Sequence, residues 1–177
     1  MIFHKTKIDG LYIIKPELKI DKRGYFARIF CEEEFKKNGL VFRIVQANQS
    51  LTKRKGTIRG MHFQKPPKAE DKIVFCIQGA IYDVAIDLRQ NSPTYGQWVA
   101  EELSEENKKM FLIPKGFAHG FQLLTDESEV LYFLSEFYSP EYETGVRWND
   151  PFFNIKWPIE NPILSEKDKN WPLMKQI

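Results

Sequence analysis

Three histidines are the only side chains whose ordinary charge change falls near neutral pH. His62 lies in IRGMHFQ and His119 in PKGFAHGFQ, both in stretches that mix glycine with apolar residues. His4 falls on what reads as a first strand and is given no role. Together with Glu70, His62 and His119 could make a facial triad of metal ligands. The plain alternative for His119 is a core histidine packed in an aromatic turn. Other polar groups have equally plain readings. Ser165-x-x-Asp168 has the form of a capping box for a last helix. Tyr132, alone in a strand-like run, reads as core, and Lys72 reads as a solvated lysine at a strand end. Cys31 and Cys76 are far apart. They suit a reducing, cytoplasmic setting better than a disulfide framework or a zinc site, which would need about four ligands.

These groups have to be held by short strands. The chain has 177 residues, the size of one domain spanning 1–177. Its 26 Lys+Arg nearly balance 24 Asp+Glu, and no basic stripe stands out, which argues against a nucleic-acid partner. No apolar run approaches the roughly 20 residues that span a bilayer, and no signal-peptide pattern opens the sequence, so no membrane partner is expected. The 14 Phe, 7 Tyr and 4 Trp favour strands and cupped apolar sites. A short helix is expected over 31–38, where three acids precede two lysines and Gly39 supplies the stop. A second should open at Ser165. Strands are expected over 72–78, 81–88, 111–113, 120–124 and 129–137, with a tight turn at Gly79 and Ala80 and a loop over 90–96. Many short strands with few helices argue for an antiparallel sandwich or barrel and against an open α/β sheet. The tail, rich in Pro and Trp, should wrap the outside as an irregular lid.

RGMHFQ, leading on to Gly79, and PKGFAH have the cadence of the two cupin motifs, but Gln64 stands where a metal-binding cupin has its second histidine. The motifs DKRGYF (21–26), QANQS (46–50), TIRGMHFQ (57–64), DKIVFCIQGAIYDVAIDLRQNSPTYGQW (71–98), LSEEN (103–107), IPKGFAHGF (113–121), YFLSEFYSPEYETGVRWNDP (132–151) and LSEKD (164–168) follow one family pattern almost end to end. The chain thereby resembles the dTDP-4-dehydrorhamnose 3,5-epimerases, cofactor-free enzymes that invert a nucleotide-linked 4-keto-6-deoxy sugar. The resemblance implies an all-β jelly roll, no metal, a nucleotide-sugar substrate and a homodimer with exchanged N-terminal strands. It implies a role in supplying deoxysugar to a surface polysaccharide or a glycosylated metabolite. It also implies roles for residues. His62, held by Asp168, matches the base that removes a proton alpha to a ketone, Tyr132 matches the acid, and Lys72 stands near the enolate oxygen. Tyr138 is expected on the same strand face as Tyr132, lining the sugar pocket. His119 and Arg59 match contacts to sugar and phosphates, and Arg23, Gln46, Asn48, Glu143 and Lys167 match the nucleotide half, with Phe26 as an aromatic surface. Arg23 is expected to reach the neighbouring subunit's site.

One position departs from the family pattern. Arg28 occupies the place of a glutamate that helps hold the nucleotide. Either the nucleotide is handled differently, or Arg28 is structural and paired with an acid such as Glu32. The alternatives within the class are a C3-only epimerase and one acting on a CDP- or GDP-linked sugar. Outside it stand a metal-dependent cupin oxygenase and a non-catalytic sugar-binding cupin.

Overall fold

The computed structural model describes residues 1–174, and its main body is two antiparallel sheets packed face to face. The six-stranded sheet runs in the order β1 (Ile2–Lys5), β2 (Tyr12–Lys15), β10 (Met110–Ile113), β7 (Lys72–Gln78), β12 (Ser128–Leu134) and β5 (Gln46–Thr52). The five-stranded sheet runs β13 (Glu143–Gly145), β6 (Ile58–Gln64), β11 (Phe117–Leu123), β8 (Ala80–Asp87) and β9 (Trp98–Ser104). A separate hairpin, β3 (Leu18–Asp21) with β4 (Gly24–Ala27), pairs only with itself. The two helices, α1 (Glu32–Lys37) and α2 (Glu166–Lys169), are short and peripheral. This is the expected jelly-roll class.

The apolar runs are explained by burial on both faces of the sheets. Between them lie Val74, Cys76, Ile81, Ala85, Phe111, Phe121 and Leu123. Outside the six-stranded sheet, Phe35 of α1 and Phe42 cover Ile14, Ile73, Phe75 and Met110. Outside the five-stranded sheet the tail lays Phe153, Ile155 and Trp157 over Met61, Val84 and Ile86. A strand covered on both sides has no polar face, so β7 and β10 read as continuous rather than alternating. The tail does wrap the outside, and α2 within it returns to the site.

Some boundaries differ from expectation. The strand expected over 129–137 stops at Leu134: at the next ladder position the Ser135 N–H still donates to Asp71 O, but the Asp71 N–H goes to the Ser135 hydroxyl, which also donates to the Asp71 carboxylate. Tyr138 therefore does not share a strand face with Tyr132; it lies in the irregular segment beyond the strand. The strand expected over 120–124 starts earlier, at Phe117, so His119 is itself a strand residue.

Candidate active site

A cavity of about 330 Å³ opens between the sheets, lined by Ser50, Arg59, His62, Lys72, His119, Phe121, Tyr132, Ser165, Lys167 and Asp168. A smaller lobe of about 140 Å³ shares His62, Lys72 and Tyr132 and adds Gln46, Asn48, Gln64, Glu70, Tyr138 and Glu143. The six-stranded sheet contributes Lys72 from β7 and Tyr132 from β12; the other contributes His62 from β6 and His119 from β11. Tyr132 and His62 thus stand on opposite walls.

The R-G-M-H spacing has a backbone cause. Across the β6–β11 pair, His62 is opposite His119 and Arg59 opposite Phe121, so β6 carries one extra residue there. This bulge turns two positions that strict alternation would put on opposite faces toward one cavity. It needs Gly60, whose φ is +131° and whose added Cβ would sit 2.5 Å from the Gly120 Cα. Arg59 is then fixed by its Nε donating to Thr52 Oγ1 at 2.7 Å, across to the other sheet.

Asp168 resolves its two readings. Its backbone N–H donates to Ser165 Oγ at 3.1 Å, so the helix is capped. Its side chain meets His62 Nε2 at 2.5 Å. Burial by itself would raise this carboxyl, but hydrogen bonds from His62, Ser165 and Trp171 outweigh it and hold Asp168 below the usual carboxylate range. Against an ionised Asp168, a neutral imidazole at His62 would carry its hydrogen on Nε2 and leave the Nδ1 lone pair free. The Trp171 ring stands edge-on to His62, centroids 5.7 Å apart.

Lys72 is no solvated strand end. Its side chain is only 13% exposed and its Nζ pairs with Glu70 Oε1 at 2.9 Å. The second Glu70 oxygen accepts from Gln64 Nε2 at 3.0 Å. Both oxygens of Glu70 are therefore engaged, and the metal triad of His62, Glu70 and His119 does not assemble; no group of three metal-ligating side chains comes together among the described residues. His119 pairs through Nε2 with Asp83 Oδ1 at 2.6 Å.

At the mouth, Glu143 Oε2 accepts from Lys167 Nζ at 2.6 Å and from the Tyr138 hydroxyl at 2.7 Å. Burial opposes the charge on Glu143, but these two donors prevail and its carboxyl lies low. Gln46 donates to Asn48 at 3.2 Å and accepts from the Tyr138 N–H at 3.1 Å. The expected residues 46, 48, 59, 62, 72, 119, 132, 138, 143, 167 and 168 thus share one space. Arg23, Phe26 and Arg28 do not join them in this chain. Arg23 is exposed on the β3–β4 hairpin and bound to Asp21 at 2.6 Å. Phe26 is 62% exposed on the same hairpin. Arg28 pairs with Glu34 at 2.9 Å, not with Glu32, which is taken by Lys36. Two residues went unread in the sequence. Asp83 could have been found as a carboxylate in the middle of an apolar strand; Trp171 gave no signal.

The sequence profile of the dTDP-4-dehydrorhamnose 3,5-epimerase family matches residues 5–176. The dTDP-4-dehydrorhamnose 3,5-epimerase of Methanothermobacter thermautotrophicus is 50% identical, over 98% of this chain and 95% of its own length. The crystal structure of the Bacillus anthracis enzyme of that name, with TDP and PPi bound, is 43% identical, covers 98% of this chain and 99% of its own, and superposes with a TM-score of 0.96. That of the Legionella pneumophila dTDP-6-deoxy-D-glucose-3,5-epimerase, in complex with dTDP-4-keto-L-rhamnose, is 40% identical, covers 99% and 94%, and gives 0.94. With a histidine–carboxylate pair facing a tyrosine across a jelly-roll cavity, and likeness along nearly the whole chain, this protein belongs to the dTDP-4-dehydrorhamnose 3,5-epimerase family.

Proposed function

We propose that residues 1–177 act as one catalytic domain that inverts C3 and C5 of a dTDP-linked 4-keto-6-deoxy-hexose. The opposition of His62 and Tyr132 across one cavity carries this reading. Protons on carbons beside a ketone are weakly acidic. His62, with Asp168 behind it, takes one through Nδ1, and the charge moves to the ketone oxygen, where the Lys72 ammonium offsets it. Tyr132 returns a proton to the opposite face, and the carbon inverts. Arg59, Lys167 and the Gln46–Asn48–Tyr138–Glu143 cluster hold the diphosphate and nucleoside.

The β3–β4 hairpin supports a homodimer with exchanged N-terminal segments. Ile20, Tyr25 and Phe26 are exposed on it, and Arg23, also exposed, is outside the lining of its own cavity with Asp21 as its ion-pair partner among the described residues. Arg23 and Phe26 would complete the site of the second copy. Both cysteines are unpaired, which fits work in the cytoplasm.

Proton NMR of dTDP-4-keto-6-deoxyglucose with the enzyme in D₂O tests the reading. Deuterium should enter at C3 and C5 and the L-rhamno product should form. Incorporation at C3 alone would make the protein a C3 epimerase, and no incorporation would remove the epimerase reading.

A further inference from the structure

His62 and His119 are directly opposite each other on neighbouring strands, and each has a carboxylate on its Nε2. The two carboxylates live in different surroundings. The Asp168 carboxylate accepts from Trp171 Nε1 at 3.3 Å besides meeting His62, and Ser165 and Trp171 both help to hold it low. Asp83 is fully buried, and its Oδ2 has no hydrogen-bond partner. A sealed carboxylate with one oxygen unpaired is a costly thing to keep inside a sheet, and apolar residues of similar size would serve packing better. Burial pushes the Asp83 carboxyl up, against the pull of His119 and Lys72.

We infer that the Asp83–His119 couple holds one more proton than the Asp168–His62 couple, so that His119 offers an Nδ1–H donor to the substrate beside the Nδ1 lone pair of His62. The extra proton gives the same face whichever partner carries it. With an imidazolium against a carboxylate, Nδ1 bears a hydrogen. With a neutral imidazole accepting from a carboxylic acid, Nδ1 bears it again. His119 Nδ1 has no partner among the described residues, and the ring lines the cavity together with Lys72. The charged and titratable groups that share its cavity are Lys72 from β7, Arg59 and His62 from β6, Tyr132 from β12 and Lys167 and Asp168 from α2; Lys72 is offset by Glu70, Lys167 by Glu143, and Asp168 faces His62. A donor there suits an oxygen that gains negative charge, which under the epimerase reading is the ketone oxygen. Asp83 is then a positioning residue that acts through His119.

The same substitution should separate the two couples. An asparagine at 83 turns its NH₂ toward His119 Nε2, copies the protonated carboxyl and keeps Nδ1–H. An asparagine at 168 forces the hydrogen of His62 onto Nδ1 and removes the base. Asp83→Asn should keep kcat within about tenfold, whereas Asp168→Asn should lose about 10²–10⁴. Asp83→Ala, which leaves the ring unheld, should fall well below Asp83→Asn while melting as a folded protein. Long-range ¹H–¹⁵N NMR of the ligand-free wild type at neutral pH reads the nitrogens without reference to activity. Protonated Nδ1 in His119 and unprotonated Nδ1 in His62 is the expected pattern. An unprotonated His119 Nδ1, or an Asp83→Asn variant as inactive as Asp83→Ala, overturns the inference. Neither result touches the epimerase reading, which fails only if the wild type leaves the substrate unexchanged.

Discussion

Strand β8 carries two aspartates, Asp83 and Asp87, that are alike in type and both fully buried, yet the chain treats them in opposite ways. Asp87 is saturated. Arg89 donates to both its oxygens at 2.8 Å, and Ser92 and Thr94 donate at 2.6 and 2.7 Å. Burial alone would raise its carboxyl, but these donors bring it down to about 2. The guanidinium of Arg89 also lies over the Phe117 ring at 4.7 Å, so this end of β8 is a clasp between the 90–96 loop and β11. Asp83, in the middle of the strand and behind the cavity residue His119, has a single hydrogen-bond partner among the described residues and an unpaired oxygen. Where every lone pair is used the group serves the fold. Where one is left over, in a wall shared with His62, the chemistry of a site accounts for it better.

That contrast can be broken at either end. The largest effect belongs to the cavity. His62→Ala should lower kcat by about 10²–10⁴ or more with its melting temperature little changed, because under the proposed function the lost group is the proton acceptor. Deuterium exchange at near wild-type rate would remove His62 from the mechanism. At the clasp the signs are reversed. Asp87→Ala strands Arg89, Ser92 and Thr94 and should cost on the order of 3 kcal/mol, or roughly 6–12 °C in Tm for a chain of this size. The protein that remains folded should turn over normally. Equal losses of activity and stability would mean that the clasp also shapes the cavity.

Acid should distinguish the two aspartates next. The folded carboxyl of Asp87 lies below its unfolded value, so its contribution is complete above about pH 4 and is lost as pH falls toward about 2. Asp83 is raised in the folded state, so its contribution is greatest in acid and declines as pH rises through the folded value. Denaturant titrations should therefore show a shallower acid limb in Asp87→Asn, and in Asp83→Asn a gain relative to wild type that grows from acid to neutral pH. Parallel curves for both variants would contradict the assignment.

The smallest effect is expected at Arg28, far from both ends of β8. It is exposed and held by Glu34, so Arg28→Ala should leave Tm within error. Calorimetry with dTDP, CDP and GDP on Arg28→Glu then asks whether this side chain reads a base in a neighbouring copy. A change in preference among the three would show that it does, and identical affinities would leave it structural.

Much of this could be read from residue order, and the misses have physical causes. Continuous apolar runs at 72–78 and around Phe111 located strands buried on both faces, and the acid-first, lysine-last order of 31–38 located α1. The end of β12 leaves no local trace, because it is set where the Ser135 hydroxyl takes the N–H of Asp71, a residue distant in sequence. Tyr138 therefore lies beyond the strand on which its spacing places it, yet lines the expected cavity. Ser165-x-x-Asp168 fits a cap and a dyad equally well, because the first uses the backbone of Asp168 and the second its side chain. A nearby acid for Arg28 is legible in the sequence, but Glu32 and Glu34 both lie within reach along the chain and only the fold decides for Glu34. The sharing of a face by Arg59 and His62 depends on a bulge for which Gly60 was the visible mark.

The central claim, that base and acid face each other across the cavity, is tested most directly by Tyr132→Phe. The ring stays, so packing survives, while the hydroxyl opposite His62 is gone. His62 can still remove a proton and return it to the same face. NMR in D₂O with the dTDP-linked keto sugar should then show deuterium entering the substrate while little inverted product appears, two events that are coupled in the wild type. Inverted product forming at the wild-type rate would contradict the account, because the proton would then come from some other group on that wall.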